Sequence, residues 1–147
     1  MELNFLLFYK IVLYFCLSKN NFYKMIIGTG IDIIDVNRIK KIIVNYSDDA
    51  LNKIFTKTEQ SYCEQFNERK YEHYAARFAT KEAFSKAIGT GFTNSFKLNE
   101  VGVVNMKNGK PEIVLTGNML KLYGKNKLYL SIAHLKEYAV ATVIIEK

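Results

Sequence analysis

Arg77, Lys81, Glu82, Ser85 and Lys86 crowd into one stretch, RFATKEAFSKAIGTG at residues 77–91, which ends on Gly89-Thr90-Gly91. On a helix, Ala76, Ala79, Ala83 and Ala87 recur at spacings of three and four and share one side. That side can lie close against a sheet, and the charged residues turn partly away from it as a polar patch. Glu82 and Lys86, four apart, read in two ways. They are a surface ion pair worth about 0.3–0.5 kcal/mol, or a carboxylate and a cation that handle a charged substrate. A second carboxylate, Asp32, follows the apolar run of residues 25–31, interrupted by Gly28-Thr29-Gly30. An unpaired charge buried there costs several kcal/mol, so Asp32 is solvated, paired, metal-bound or a helix cap. The third element is His134, at the end of SIAH (131–134). Its imidazole is either a hydrogen-bonded structural group or, beside a phosphate, an anion donor and proton relay.

Composition narrows the chemistry. Twenty-one Lys and Arg against 14 Asp and Glu give a formal charge of +7 over 147 residues, which favours a negatively charged partner. Apolar residues make up 49%, enough for a core, so wholesale disorder is excluded. Two histidines and two cysteines, Cys16 and Cys63, exclude a multi-histidine metal centre and a disulfide framework. They point to a reducing, cytoplasmic setting. Gly28-Thr29-Gly30 is not a dinucleotide fingerprint, because the third glycine would fall at Ile33.

The elements that must position these groups read as follows. Residues 25–34 form a buried strand, with Ile26, Ile27, Ile31, Ile33 and Ile34 in the core. Asp35 suits the N-cap of a helix carrying Ile39, Ile42 and Ile43 on one side and Arg38 and Lys41 on the other. A short helix covers 48–55. Thr56 and Glu59 make a capping box for a helix running to about residue 66. The longest helix spans about 71–88 and ends at Gly89 in the left-handed conformation. Strands follow at 100–106, 112–115, 128–133 and 138–145, with a hairpin turn at Asn108-Gly109 and a short helix at 117–123. The fold class is α+β, one antiparallel sheet with a long helix packed on one side.

Residues 1–24 differ in character. Their apolar run, 3–17, is too short for the roughly 20 residues that span a bilayer and contains Lys10. It also lacks the small residues expected at a signal cleavage site. The expectation is a dispensable apolar extension over 1–24, a single domain over 25–147 and no stable membrane insertion. The first 24 residues carry Lys10, Lys19 and Lys24 against Glu2, so the remainder keeps a formal charge of +5.

Taken in order, GTGIDIIDVNRI (28–39), FTKTE (55–59), RFATKEAFSKAIGTG (77–91), NGKPEIVLTG (108–117) and SIAH (131–134) resemble the bacterial holo-acyl-carrier-protein synthases of the 4′-phosphopantetheinyl transferase superfamily. The resemblance implies that fold and a magnesium-dependent transfer of phosphopantetheine from coenzyme A to a serine of acyl carrier protein, in support of fatty acid biosynthesis. It makes Asp32 and Glu82 the Mg²⁺ ligands and catalytic carboxylates, either of which takes the serine proton, with Lys86 offsetting phosphate charge. Arg77, Lys81 and Ser85 fall to coenzyme A binding, together with Gly89 and Gly91 near the nucleotide, Pro111 on the adenine side and His134 at a phosphate. Arg38 and Lys41 dock the acidic carrier, and short members of the family assemble as homotrimers with sites between subunits. Two positions depart from the pattern: Thr80 stands where alanine is common, and Ala133 replaces a hydroxyl beside the histidine. Two rival readings remain. A basic module binding RNA would use +7 and the 20 Tyr and Phe residues, but the charges are scattered and no RNA motif appears. A membrane-peripheral protein would be held by residues 3–17.

Overall fold

The computed structural model describes residues 24–91 and 96–147, so the expectations for residues 1–23 lie outside them. Strand β1 (Ile26–Asp35) ends where Asp35 caps helix α1 (Val36–Asn45), its carboxylate accepting from the N–H groups of Asn37 and Arg38. Helix α2 (Asp48–Ile54) follows, then α3 (Lys57–Cys63), which opens with the complete Thr56–Glu59 capping box. The sequence predicts this helix through residue 66, but it stops at Cys63. A 3-10 segment, Glu64–Arg69, takes over and breaks at Phe66 and Asn67, where Asn67 has φ 47°. The break lays the Phe66 ring on His73, with centroids 3.9 Å apart, a contact no continuous-helix pattern anticipates.

Helix α4 (Lys70–Ala87) is the centre of the molecule, with 12 of its 18 residues buried. Gly89 follows it with φ 72°, the left-handed cap its position predicts. The chain continues through β2 (Val101–Asn105), β3 (Pro111–Leu115), α5 (Gly117–Tyr123), β4 (Lys127–His134) and β5 (Tyr138–Glu146). The α+β class holds, with α4 laid along an antiparallel sheet. The strands divide differently from expectation, however. A three-stranded sheet has the order β1-β5-β4, and β2 and β3 form a separate hairpin. The edges of β3 and β4 face each other across a groove of about 560 Å³ instead of exchanging ladder bonds.

Only one face of β1 is covered. Gly28, Gly30, Asp32 and Ile34 point toward α4, whereas Ile31 and Ile33 are 62% and 66% exposed. The expectation that Ile26, Ile27, Ile31 and Ile33 fill the core is corrected, since all four are exposed and of the five isoleucines only Ile34 is buried: β1 is an edge strand, and Ile27, Ile31 and Ile33 lie on the sheet's outer face. The buried set instead joins Ile34, Val36 and Ile39 to Phe55, Phe78, Phe84, Ala141, Val143 and Ile145. Cys63 is a free thiol in this core, and burial pushes its pKa up to about 12. Among the described residues no helix is long and apolar enough to cross a membrane.

A candidate phosphoryl-transfer site

Two glycines bring Asp32 to its partners. A Cβ on Gly28 would lie 2.1 Å from the Ala87 carbonyl oxygen, and one on Gly30 2.0 Å from that of Ala83. Neither is possible, so β1 and α4 approach more closely than any side chain at these two positions would permit. Asp32 is the next inward-facing residue along the strand. The Lys86 ammonium donates to Asp32 Oδ1 at 2.8 Å and to the Ile31 carbonyl at 3.1 Å. Glu82, one turn before Lys86, completes the group. Its carboxyl has a proton affinity raised first by burial and then by the negative charge of Asp32, while Lys86 and Arg38 act in the opposite direction. Two carboxylates therefore share one electrostatic site, with Arg38 of α1 at its edge.

A second cluster lies on another side of α4. Arg77 precedes Glu82 by five residues, which rotates it about 140° around the helix axis. Its guanidinium donates to Asn105 Oδ1 at 2.8 Å and to the His73 carbonyl, and stacks over Tyr62 at 4.2 Å. Asn105 in turn donates to the Gly109 carbonyl, tying the β2–β3 turn to α4. The result is a cavity of about 160 Å³ that brings Arg77, Pro111 and His134 together with Tyr62, His73 and Asn105. A groove of about 480 Å³ beside it shares Tyr62, Arg77 and Asn105. His134 Nδ1 lies 3.2 Å from a Glu72 carboxylate oxygen.

The polar patch read from helical spacing is thereby corrected. Arg77, Lys81 and Ser85 are 3%, 0% and 1% exposed, so of that patch only Glu82 and Lys86 stand at the open face. Lys81 is turned inward and pairs with the equally buried Glu59 at 2.9 Å, also donating to the Val101 carbonyl. The reason is that α4 is covered on several sides, by β1 and β5 and also by α1, α3 and β2. A direct coenzyme A contact from Lys81 has no geometric support in this conformation. Thr80 is buried as well, and its hydroxyl donates to the Ala76 carbonyl. Gly89 and Gly91 are exposed, both with positive φ. Arg38 and Lys41 are exposed on α1, opposite Ile39, as their spacing predicts.

Sequence reasoning missed Glu59, Glu72, His73, Tyr62 and Asn105. Glu59 was legible only as a cap. Its carboxylate accepts from Thr56 N–H, Val103 N–H and Lys81, and so joins α3, β2 and α4. His73 and Asn105 stand outside any chemical motif, and only the fold places them beside Arg77.

A divalent cation fits the first cluster. Among the described residues no group of three or more His, Cys, Asp or Glu side chains could hold a metal. Mg²⁺ needs no such cage, since it commonly uses one or two carboxylates plus substrate phosphates and water. Asp32 and Glu82, whose proton affinity is raised first by burial and then by the charge of Asp32, are carboxylates of that kind. The class of protein this defines is settled by comparison: residues 28–143 match the sequence profile of the 4′-phosphopantetheinyl transferase superfamily, and the chain belongs to it. Its relatives within that superfamily include several holo-[acyl-carrier-protein] synthases. Holo-[acyl-carrier-protein] synthase of Clostridium tetani is 46% identical over 125 residues, covering 83% of this chain and 97% of that protein. That of Geotalea daltonii is 39% identical over 126 residues, covering 84% and 100%. Among solved structures, the holo-(acyl-carrier-protein) synthase of Bacillus anthracis in complex with CoA (3′,5′-ADP) superposes with a TM-score of 0.70 at 38% identity, covering 84% and 98%. The enzyme of Neisseria meningitidis gives a TM-score of 0.73 at 30% identity, covering 84% and 100%.

Proposed function

We propose that this protein transfers the 4′-phosphopantetheine group of coenzyme A to a serine of apo acyl carrier protein, releasing adenosine 3′,5′-bisphosphate and so serving fatty acid biosynthesis in the cytoplasm. The observation that carries the reading is the convergence of Asp32, Glu82 and Lys86 at one edge of α4 in a member of this superfamily. In the reaction the serine oxygen forms a bond to the phosphorus that bears the pantetheine, and that phosphorus loses its bond to the bridging oxygen of the diphosphate. The serine proton passes to one of the two carboxylates, and Glu82 has a proton affinity raised by burial and by Asp32. Asp32 and Glu82 would hold a Mg²⁺, whose charge would offset that of the diphosphate, an effect typically worth several kcal/mol. Lys86 already reaches Asp32 and offsets negative charge on the departing phosphate. Gly89 and Gly91 leave open space around the chain after α4.

The Arg77–His134 cavity suits the phosphorylated nucleotide end of coenzyme A, with Pro111 on its wall. Since this cavity and the acid pair lie on different sides of α4, we place the complete site between two copies, one supplying Asp32, Glu82 and Lys86 and its neighbour supplying Arg77, Pro111 and His134. A homotrimer closes such an arrangement. The uncovered outer face of β1, with Ile27, Ile31 and Ile33 exposed, provides an apolar surface for it. The carrier, which is acidic, docks on Arg38 and Lys41 of α1. Arg38 is close enough to Glu82 to lower its proton affinity, so a docked carrier delivers its serine beside the carboxylates.

The direct test is intact-mass analysis of apo carrier incubated with the protein, coenzyme A and Mg²⁺. The expected result is one added phosphopantetheine per carrier serine, lost on chelation of the metal. An unchanged carrier mass under conditions where the protein is folded and trimeric rejects the activity.

A further inference from the structure

The two histidines of the sequence, distant along the chain, line the same cavity. Their rings meet edge to face with centroids 5.0 Å apart. His134 has a partner in Glu72, but His73 Nε2 and Arg77 Nε are buried without a hydrogen-bond partner. Unsatisfied buried nitrogens are costly and uncommon, and here two of them belong to residues lining one small cavity. The ligand chemistry that satisfies both is a phosphomonoester: compact, dianionic and rich in acceptor oxygens.

We propose that His73 is a further residue of the coenzyme A site, and that it takes up a proton from solvent as the nucleotide phosphate enters the cavity beside Arg77 and His134. This rests on the coenzyme A reading above and adds to it a residue that carries no part of the sequence resemblance. The groups facing His73 are His134 of β4, Tyr62 of α3, Phe66 and Arg69 of the 3-10 segment, and Glu72 and Arg77 of α4 itself. Without ligand, burial followed by His134, Arg77 and Arg69 pushes its pKa down to about 4, with Glu72 opposing. A phosphate dianion among the same groups reverses the sign of that field and favours the imidazolium. Only an N–H bond forms, and the proton comes from water. Between the ligand-free and ligand-bound pKa values the complex binds more protons than the free protein. Affinity therefore increases as pH falls, by up to about tenfold per pH unit for one proton.

The test is calorimetric titration of the full chain with coenzyme A near pH 7, in two buffers of different ionisation heat, which counts protons. His73→Phe keeps the ring that stacks on Phe66, and His73→Gln keeps a donor that cannot be protonated. Wild type should take up more protons than either variant, and the difference should vanish with dephospho-coenzyme A. Equal uptake in wild type and both variants, or an unchanged difference with dephospho-coenzyme A, overturns the role of His73 and leaves the coenzyme A reading standing. Absence of coenzyme A binding by folded wild type overturns both.

Discussion

Glu82 carries opposing demands. Its raised proton affinity, from burial first and Asp32 second, means that the folded state holds this proton more tightly than the unfolded chain. As pH rises from the ordinary carboxylate value of 4.5 through the folded-state value, the folded form is therefore penalised, and near neutrality Glu82 is a local liability. Glu82→Gln removes that liability together with the metal and proton roles proposed for this side chain. Turnover should fall by about a hundredfold or more, equivalent to about 2.7 kcal/mol. The thermal midpoint at neutral pH should rise or hold, and Mg²⁺ should raise the midpoint of wild type only. Carrier-transfer kinetics and melting curves with and without Mg²⁺ check both halves; a variant that is less stable and still active contradicts the assignment. Lys81 shows the other side of single-residue reasoning. Its position beside Glu82 suggests phosphate contact, yet the side chain is sealed against Glu59.

Among the elements, the β1–α4 contact sets the site. Helix caps were legible in the sequence because a cap is a local event: Asp35, Thr56 with Glu59, and Gly89 each act within one turn. The meaning of Gly28 and Gly30 was not legible, since the atoms that forbid a Cβ belong to residues more than fifty positions away. Gly30→Ala should force β1 off α4, at a cost of about 1–3 kcal/mol as for other overpacking. Asp32 would be carried away from Lys86 and Glu82 in the process. Denaturant midpoint and turnover should both decrease, with turnover still depressed well below the unfolding transition. A variant that loses stability but keeps full turnover when folded separates the packing from the site. The split of the strands into two sheets was likewise hidden, because β2 and β3 have hairpin patterning whether or not a third strand joins them.

The exposed isoleucines of β1 concern the whole molecule. A strand whose outward positions include Ile31 at 62% and Ile33 at 66% exposure is an unfinished surface. Ile31→Asp should leave the protomer folded, because the side chain is already outside its core, and shift the proposed trimer to monomer by native mass spectrometry. Transfer activity should disappear with the trimer if two copies complete each site; an active monomer refutes the shared site. Arg38→Glu addresses the remaining partner. The expected result is weaker carrier binding, about tenfold or more, with coenzyme A affinity little changed. Equal losses for both ligands contradict carrier docking on α1.

By itself the sequence determined the α+β class, most element positions, the caps and the superfamily, because these depend on local periodicity and ordered motifs. It also singled out Asp32, Glu82 and Lys86, since charges beside apolar runs are conspicuous without a fold. Only the tertiary structure decided which polar residues of α4 are buried, that Arg77, Pro111 and His134 share a cavity with His73, and that β1 presents isoleucines outward. Helical spacing tells which residues share a side of α4, but what covers each side is fixed by strands and helices far along the chain.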